Sequence, residues 1–292
     1  MNFGCSSKFY VAPGGNDSWS GRLREANSAR TDGPLVTIIG ARDAIRQRRE
    51  SGADMAEVTV LLRDGTYHMA EPFVLEPQDS GVTYVAYPKE KPVLRGARVI
   101  ENWKPGAGNI WSDEIPEVAQ GKWYFRQLFV NGRRCVRART PNDGHFIVAG
   151  KAPPKVDPSD GEETSRDKTA FAYRPDDIEP WPDFKDVNVV VYHSWETSRH
   201  RIAKIDETNH IIEFTGPAFW PFEYWGPGQR YYVENAPDAL DAPGEWYLDR
   251  QTGTVSYYPL PGEDMRTAEV LAPRLKSLVE IKGDAAAGHW VK

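Results

Sequence analysis

Apolar and polar positions alternate in short bursts along most of this chain, and only one stretch keeps a helical rhythm. Residues 8–12 (KFYVA) form a strand-like run that ends at Pro13-Gly14-Gly15-Asn16-Asp17, a cluster built to turn the chain because Gly and Asn accept positive φ and Pro fixes its own. After a polar loop through Asp32-Gly33-Pro34, Ile38, Ala41 and Ile45 recur at the spacing of one helix face. Thr37 is placed to cap that helix and Gly52 to stop it. Short runs follow at 58–62, 67–68, 73–75, 82–87 and 92–94, divided by Asp64-Gly65, Glu71-Pro72, Asp79-Ser80-Gly81 and Pro88. Brief strands joined by corners, with two-residue hairpin turns mostly absent, fit the rungs of a β-solenoid, although a β-sandwich would show the same pattern. In the solenoid reading the helix covers the open end, where apolar core and unpaired strand edges would otherwise meet water.

Beyond Trp103 the strands lengthen, carry Trp and Tyr, and are joined by hairpin signals. Residues 125–130 and 133–139 flank Asn131-Gly132, a strong two-residue turn, and 246–248 and 255–258 flank a longer loop in which Gly253 suits the left-handed position. Runs at 187–193, 201–205 and 211–215 continue the antiparallel reading, while 152–167, rich in Pro, acid and Lys, reads as an exposed loop. From 271 the rung-like texture returns: a strand at 278–281, a turn at 282–288, and the opening of another strand at 289–292. The expected fold is therefore all-β, with an N-terminal capping helix and the first solenoid rungs at 1–102, an inserted antiparallel β domain at 103–273, and renewed rungs at 274–292.

Composition narrows the partners. Ten Trp, 13 Tyr, 23 Pro and 25 Gly in 292 residues describe a turn-rich protein with rings set among polar groups. A net charge of -6 with acids and bases well mixed argues against nucleic acid, whose binding modules usually gather a basic face. No apolar run reaches the roughly 20 residues of a membrane span. Residues 1–7 lack the basic and apolar regions of a secretory leader, so cytoplasmic residence is the expectation. Cys5 and Cys135 form no spaced framework and are expected as free thiols.

Two aromatic stretches carry the candidate chemistry. In residues 193–200 (HSWETSRH), His193, Trp195, Glu196 and Arg199 could stack a sugar face and grip its hydroxyls; equally, Trp195 could cover the domain core while Glu196 and Arg199 pair on the surface. Residues 219–226 (FWPFEYWG) set five rings around Glu223, so Trp220, Glu223, Tyr224 and Trp225 could form a carbohydrate platform, or the rings could pack the core of an irregular loop. Asp238, Asp241 and Glu245 lack the alternating ligands of a calcium loop and suit turns and caps. His68, His145, His210 and His289 show no paired metal spacing, and Gly226–Arg230 lacks the ending of a phosphate loop. No metal and no cofactor is expected.

The opening FYVAPGGNDSWSG, the helix ARDAIR, VTVLLRDGTYHMAEPFVL, RQLFVNGRRCVRARTPN and EWYLDRQTGTVSYYPLPGEDM together resemble the N-terminal part of right-handed parallel β-helix proteins of glycoside hydrolase family 141. The resemblance covers nearly the whole chain; LFVNGRR, HSWETSR and EWYLDRQTG, which are similar to that family's insertion domain, are its most specific parts. It implies further rungs, an α-L-fucosidase or xylanase type of activity, and catalytic acids on the later rungs. The expectation is an N-terminal portion of such an enzyme, with an oligo- or polysaccharide as partner, no catalytic residue of its own, and no activity alone. A non-catalytic glycan-binding or structural module and a polysaccharide lyase are the other readings. Oligomeric state is not legible, though an open solenoid end favours end-to-end association.

Overall fold

The computed structural model describes residues 7–53, 55, 57–156, 159, 161–181, 183–284, 286 and 291. Most of the expected strand opening at 289–292, part of the turn before it, and Cys5 lie outside the described residues. The fold is mostly β, and the chain divides into two compact units: Met1–Arg98 with Pro273–Lys292, and Val99–Ala272. Among the described residues no helix is long and apolar enough to cross a membrane.

The first unit is built on parallel pairing. Ser7–Val11, Val58–Leu62 and Val82–Ala86 lie side by side in register, so that Phe9, Val60 and Tyr84 fall in one row. Thr66–His68 pairs in parallel with Val93–Arg95, and Phe73–Leu75 with Val279–Ile281. Strand alternation sends Phe9, Val11, Val58, Val60 and Leu62 to one core. The helix forms over Ile38–Glu50, where the Thr37 hydroxyl accepts the Gly40 N–H at 2.8 Å. Ile38, Ala41 and Ile45 are its buried face and join that core, each isoleucine contributing about 2 kcal/mol. On its flank Arg46 grips Asp79 through both carboxylate oxygens, at 2.8 and 2.6 Å.

The second unit is antiparallel almost throughout. Its largest sheet runs in the order Arg139–Thr140, Arg230–Glu234, Asn188–Tyr192, Thr197–Asp206, Ile211–Phe214, Ala170–Ala172, Gly150–Lys151, with Phe146–Ile147 paired to Arg230–Glu234. A second sheet joins Val136–Arg137, Glu245–Leu248, Thr254–Tyr257, Trp111–Glu114 and Lys104–Pro105. Phe171, Phe222, Tyr231 and Val233 lie in the core on the first sheet, and Trp246, Leu248, Val255 and Tyr257 in the core on the second.

Both expected hairpins form, with Asn131 and Gly132 at φ 50° and 76°, and Gly253 at 77°. The run expected at 133–139 is not one strand. Arg133–Arg134, Val136–Arg137 and Arg139–Thr140 each pair in a different sheet, because their partners Phe129–Val130, Glu245–Leu248 and Arg230–Glu234 belong to different layers. The strand expected at 125–130 shrinks to Phe129–Val130, and the 152–167 loop holds a two-residue exposed ladder, Lys155–Val156 with Glu163–Thr164. A one-turn helix at Pro116–Ala119, opened by proline at its first position, escaped the sequence reading. Cys135 is a buried free thiol, raised in pKa by its burial.

Candidate functional site

The two aromatic stretches meet. Asn188–Tyr192 and Thr197–Asp206 are hairpin partners, leaving His193–Ser194–Trp195–Glu196 as their connecting turn, closed by the His193 N–H donating to the Glu196 carbonyl at 2.8 Å. The second stretch is a loop leading into Arg230–Glu234, a strand that pairs directly with Asn188–Tyr192. Neighbouring strand ends therefore deliver both stretches to one place.

One ring of the loop anchors it. Phe222 is fully buried among Phe171, Phe214 and His200, and its N–H donates to the Asp167 carbonyl at 2.7 Å. Most of the other rings remain in solvent, Phe219 76% exposed, Trp225 66% and Trp195 62%, while Trp220 is half-buried. Core packing is thus overturned for Trp195, Phe219, Tyr224 and Trp225 and holds for Phe222, which fills the core position. These rings brace one another, edge-on for Trp195 against Trp220 at 5.6 Å and Trp225 at 5.8 Å and for Tyr224 against Trp225 at 4.8 Å, and tilted for Tyr224 against Trp220 at 5.2 Å. Gly226 and Gly228 sit at φ 112° and 97°, which lets the chain reverse beside these rings without a strained side chain.

His193, Trp195, Trp220, Glu223, Tyr224 and Trp225 line a single open cavity of about 230 Å³. Glu196 and Arg199 do not. The Glu196–Arg199 pairing is corrected by the structure: Arg199 Nε donates to Glu234 at 2.7 Å. Strand alternation explains it, since Arg199, Val190 and Tyr232 are cross-strand neighbours and Glu234 follows Tyr232 on the same face.

Behind the rings runs a polar chain that sequence reading missed, because its members are scattered over 193–229. The Glu223 N–H donates to Gln229 Oε1 at 2.8 Å, which fixes the amide and turns its nitrogen to His193 Nδ1 at 3.1 Å. His193 Nε2–H is then the donor to the Ser198 hydroxyl at 2.7 Å, and that hydroxyl donates to His200 Nε2, also at 2.7 Å. Both imidazoles are biased to the neutral form: burial lowers the His193 pKa against the opposing pull of Glu196, and burial, then repulsion between the two rings were both to be protonated, lowers His200 to about 4.

Acids elsewhere take structural roles. Glu245, pushed up in pKa by burial, accepts the N–H groups of Arg139, Asp241 and Ala242; Asp241 accepts the Asn142 amide at 2.8 Å, and Asp238 the Trp181 indole N–H at 2.6 Å. Among the described residues no group of three or more His, Cys, Asp or Glu is disposed to hold a metal ion.

Comparison with known proteins fits this arrangement. A solved structure described as "Glycoside hydrolase" matches with TM-score 0.76 and 25% identity over 96% of this chain and 48% of its own, so the chain spans about half the length of that protein. The complex of XylC with xylose matches more loosely, with TM-score 0.38 and 17% identity over 94% of this chain and 34% of its own, and carries no argument. No curated protein sequence matches. The GH141 insertion domain family matches residues 108–260, more than half of the 292, and takes in the turn, the ring-bearing loop and the large sheet that positions them. The chain belongs to the glycoside hydrolase family 141 insertion-domain family.

Proposed function

We propose that the chain is the N-terminal portion of a carbohydrate-active glycoside hydrolase, of fucosidase or xylanase type, whose insertion domain holds the glycan. The supporting observation is the cavity that gathers His193, Trp195, Trp220, Glu223, Tyr224 and Trp225, with two indoles mostly in solvent and their orientation fixed by neighbouring rings. Flat apolar rings beside a carboxylate and an imidazole suit a pyranose, which offers an apolar face and a rim of hydroxyls. In this reading the in-register parallel strands of the first unit are the opening rungs of a right-handed parallel β-helix, into which the second unit is inserted.

The cavity offers one carboxylate, Glu223, whereas glycoside hydrolysis needs two flanking the scissile bond. This supports binding at the cavity rather than chemistry there, and an isolated chain that binds glycan without cleaving it. The same observation is what a non-catalytic glycan-binding module would show. Calorimetry with neutral xylo- and fuco-oligosaccharides, alongside a reducing-end assay, tests the proposal. Saturable binding lost in Trp195→Ala and Trp225→Ala, with no sugar released, is expected. Absence of binding to every glycan tried, or cleavage abolished by Glu223→Gln, would overturn it.

A further inference from the structure

Away from the aromatic cavity, the same unit holds a second depression of about 270 Å³ whose charge is out of keeping with the molecule. Its lining includes Arg126, Arg134, Arg137, Arg139 and Arg199, against a single acid, Glu234, in a chain of net charge -6. Sheet register brings Arg139 and Arg199 to Glu234, and the short segment 133–140 adds Arg134 and Arg137 beside them. Arg139 is paired with Glu234, and Arg199 reaches the same face through Val190 and Tyr232.

Glu234 is spent within the protein, accepting from Arg137 at 3.2 Å and Arg199 at 2.7 Å. Arg139 donates to the uncharged carbonyls of Pro141 and Gly144 and lies 4.0 Å over the Tyr232 ring, with no ion pair among the described residues. Arg126 and Arg134 point to solvent-exposed positions at the rim. The local field also registers on Tyr124: burial alone would raise its pKa, yet the charge and hydrogen bond of Arg137 and the hydrogen bond of Arg126 bring it below its ordinary value.

The two depressions are joined. A shallow surface lined by Arg126, Arg199 and Phe219 borders the arginine pocket, and a neighbouring one shares Phe219 with it and Trp220 and Tyr224 with the aromatic cavity. A chain of sugars resting on Trp195 and Trp220 could thus run past Phe219 to the guanidiniums.

We propose that the arginine pocket is an acid subsite, binding the carboxylate of a uronic acid in a glycan whose other sugars occupy the aromatic cavity. This rests on the glycan-binding reading above and adds the charge of the substrate. Planar guanidinium forks match a carboxylate with two parallel hydrogen bonds, and surplus positive charge attracts it over a distance of about 10 Å at moderate salt.

Calorimetry on the whole chain with a short oligogalacturonide, its methyl ester and a sulfated carrageenan oligosaccharide tests this. The free acid should bind about tenfold or more tighter than the ester, with affinity falling as salt rises. The double variant Arg126→Gln/Arg134→Gln, altered only at exposed positions and checked for an unchanged thermal midpoint, should reduce the acid to the affinity of the ester while leaving the ester alone. Trp195→Ala should weaken both. Equal affinity for acid and ester, an unchanged acid affinity in the double variant, or binding of the sulfated sugar alone overturns the subsite and leaves glycan binding standing. Binding of none of the three overturns both.

Discussion

His193 and His200 share one hydroxyl: each Nε2 lies 2.7 Å from Ser198 Oγ, the first donating to it and the second accepting from it. The direction is set two residues away by Gln229, whose amide is turned by the Glu223 N–H. Protonating His193 would set its Nδ1 proton against the Gln229 amide, and protonating His200 would make the Ser198 hydroxyl accept from both rings, so the chain in this direction belongs to the neutral imidazoles.

The unfolded state binds a proton near the ordinary histidine value of 6.5, whereas folded His200 does so only near pH 4. Between those values the unfolded state carries more protons, so stability falls as pH drops from about 6.5 to 4 and then levels with respect to this group. Thermal midpoints measured across that range should decline, and His200→Phe should flatten the decline. A profile unchanged by the substitution would count against it.

Ser198→Ala should cost on the order of 2 kcal/mol, since both imidazoles lose a partner in a half-dry site. Gln229→Leu unpins the loop from the turn. Its effect should fall mainly on glycan affinity, weakened several-fold, with denaturant midpoints shifted much less than in Ser198→Ala.

Two neighbouring rings should separate folding from binding. Phe222→Ala removes a fully buried side chain and should cost about 3–5 kcal/mol in a urea titration. Trp225→Ala, three residues on and 66% exposed, should leave the titration nearly unchanged while reducing glycan binding.

Glu234 is only 5% exposed and serves Arg137, itself buried. Glu234→Leu strands that guanidinium, and a loss of about 3–5 kcal/mol is expected. Pairing it with Arg137→Met should recover part of the loss, measurable as a double-mutant cycle.

In the first unit, Asp79 is buried, which alone would raise its pKa, but the Arg46 fork outweighs this and holds it below its ordinary value of 3.8. A depressed carboxylate contributes stability above that value and loses it as pH falls through the folded pKa. Asp79→Asn should therefore destabilise at neutral pH by about 1–3 kcal/mol and remove part of the loss otherwise seen below pH 4. Midpoints at neutral and acid pH, read side by side, test the sign.

What could be read in the sequence was local. The Thr37 cap and the Ile38, Ala41, Ile45 stripe are written within one helix, and the turns at Asn131-Gly132 and Gly253 depend on backbone preferences of single residues. The two ring-bearing stretches announced themselves by composition, but their meeting depends on Asn188–Tyr192 pairing with Arg230–Glu234, a register no local pattern records. Arg199 misled for the same reason. It stands three residues from Glu196, yet the Thr197–Asp206 strand aims it across the sheet to Glu234, 35 positions away. The arginine pocket was illegible altogether, since its side chains come from positions 126 to 234 and from three different sheets.

The run from Arg133 to Thr140 enters three sheets in eight residues. It behaves as a seam through the second unit. Peeling any one layer away pulls on the hem of the other two, so the layers should come apart together, as a single event, and a shift of one residue in this segment would misalign three ladders at once.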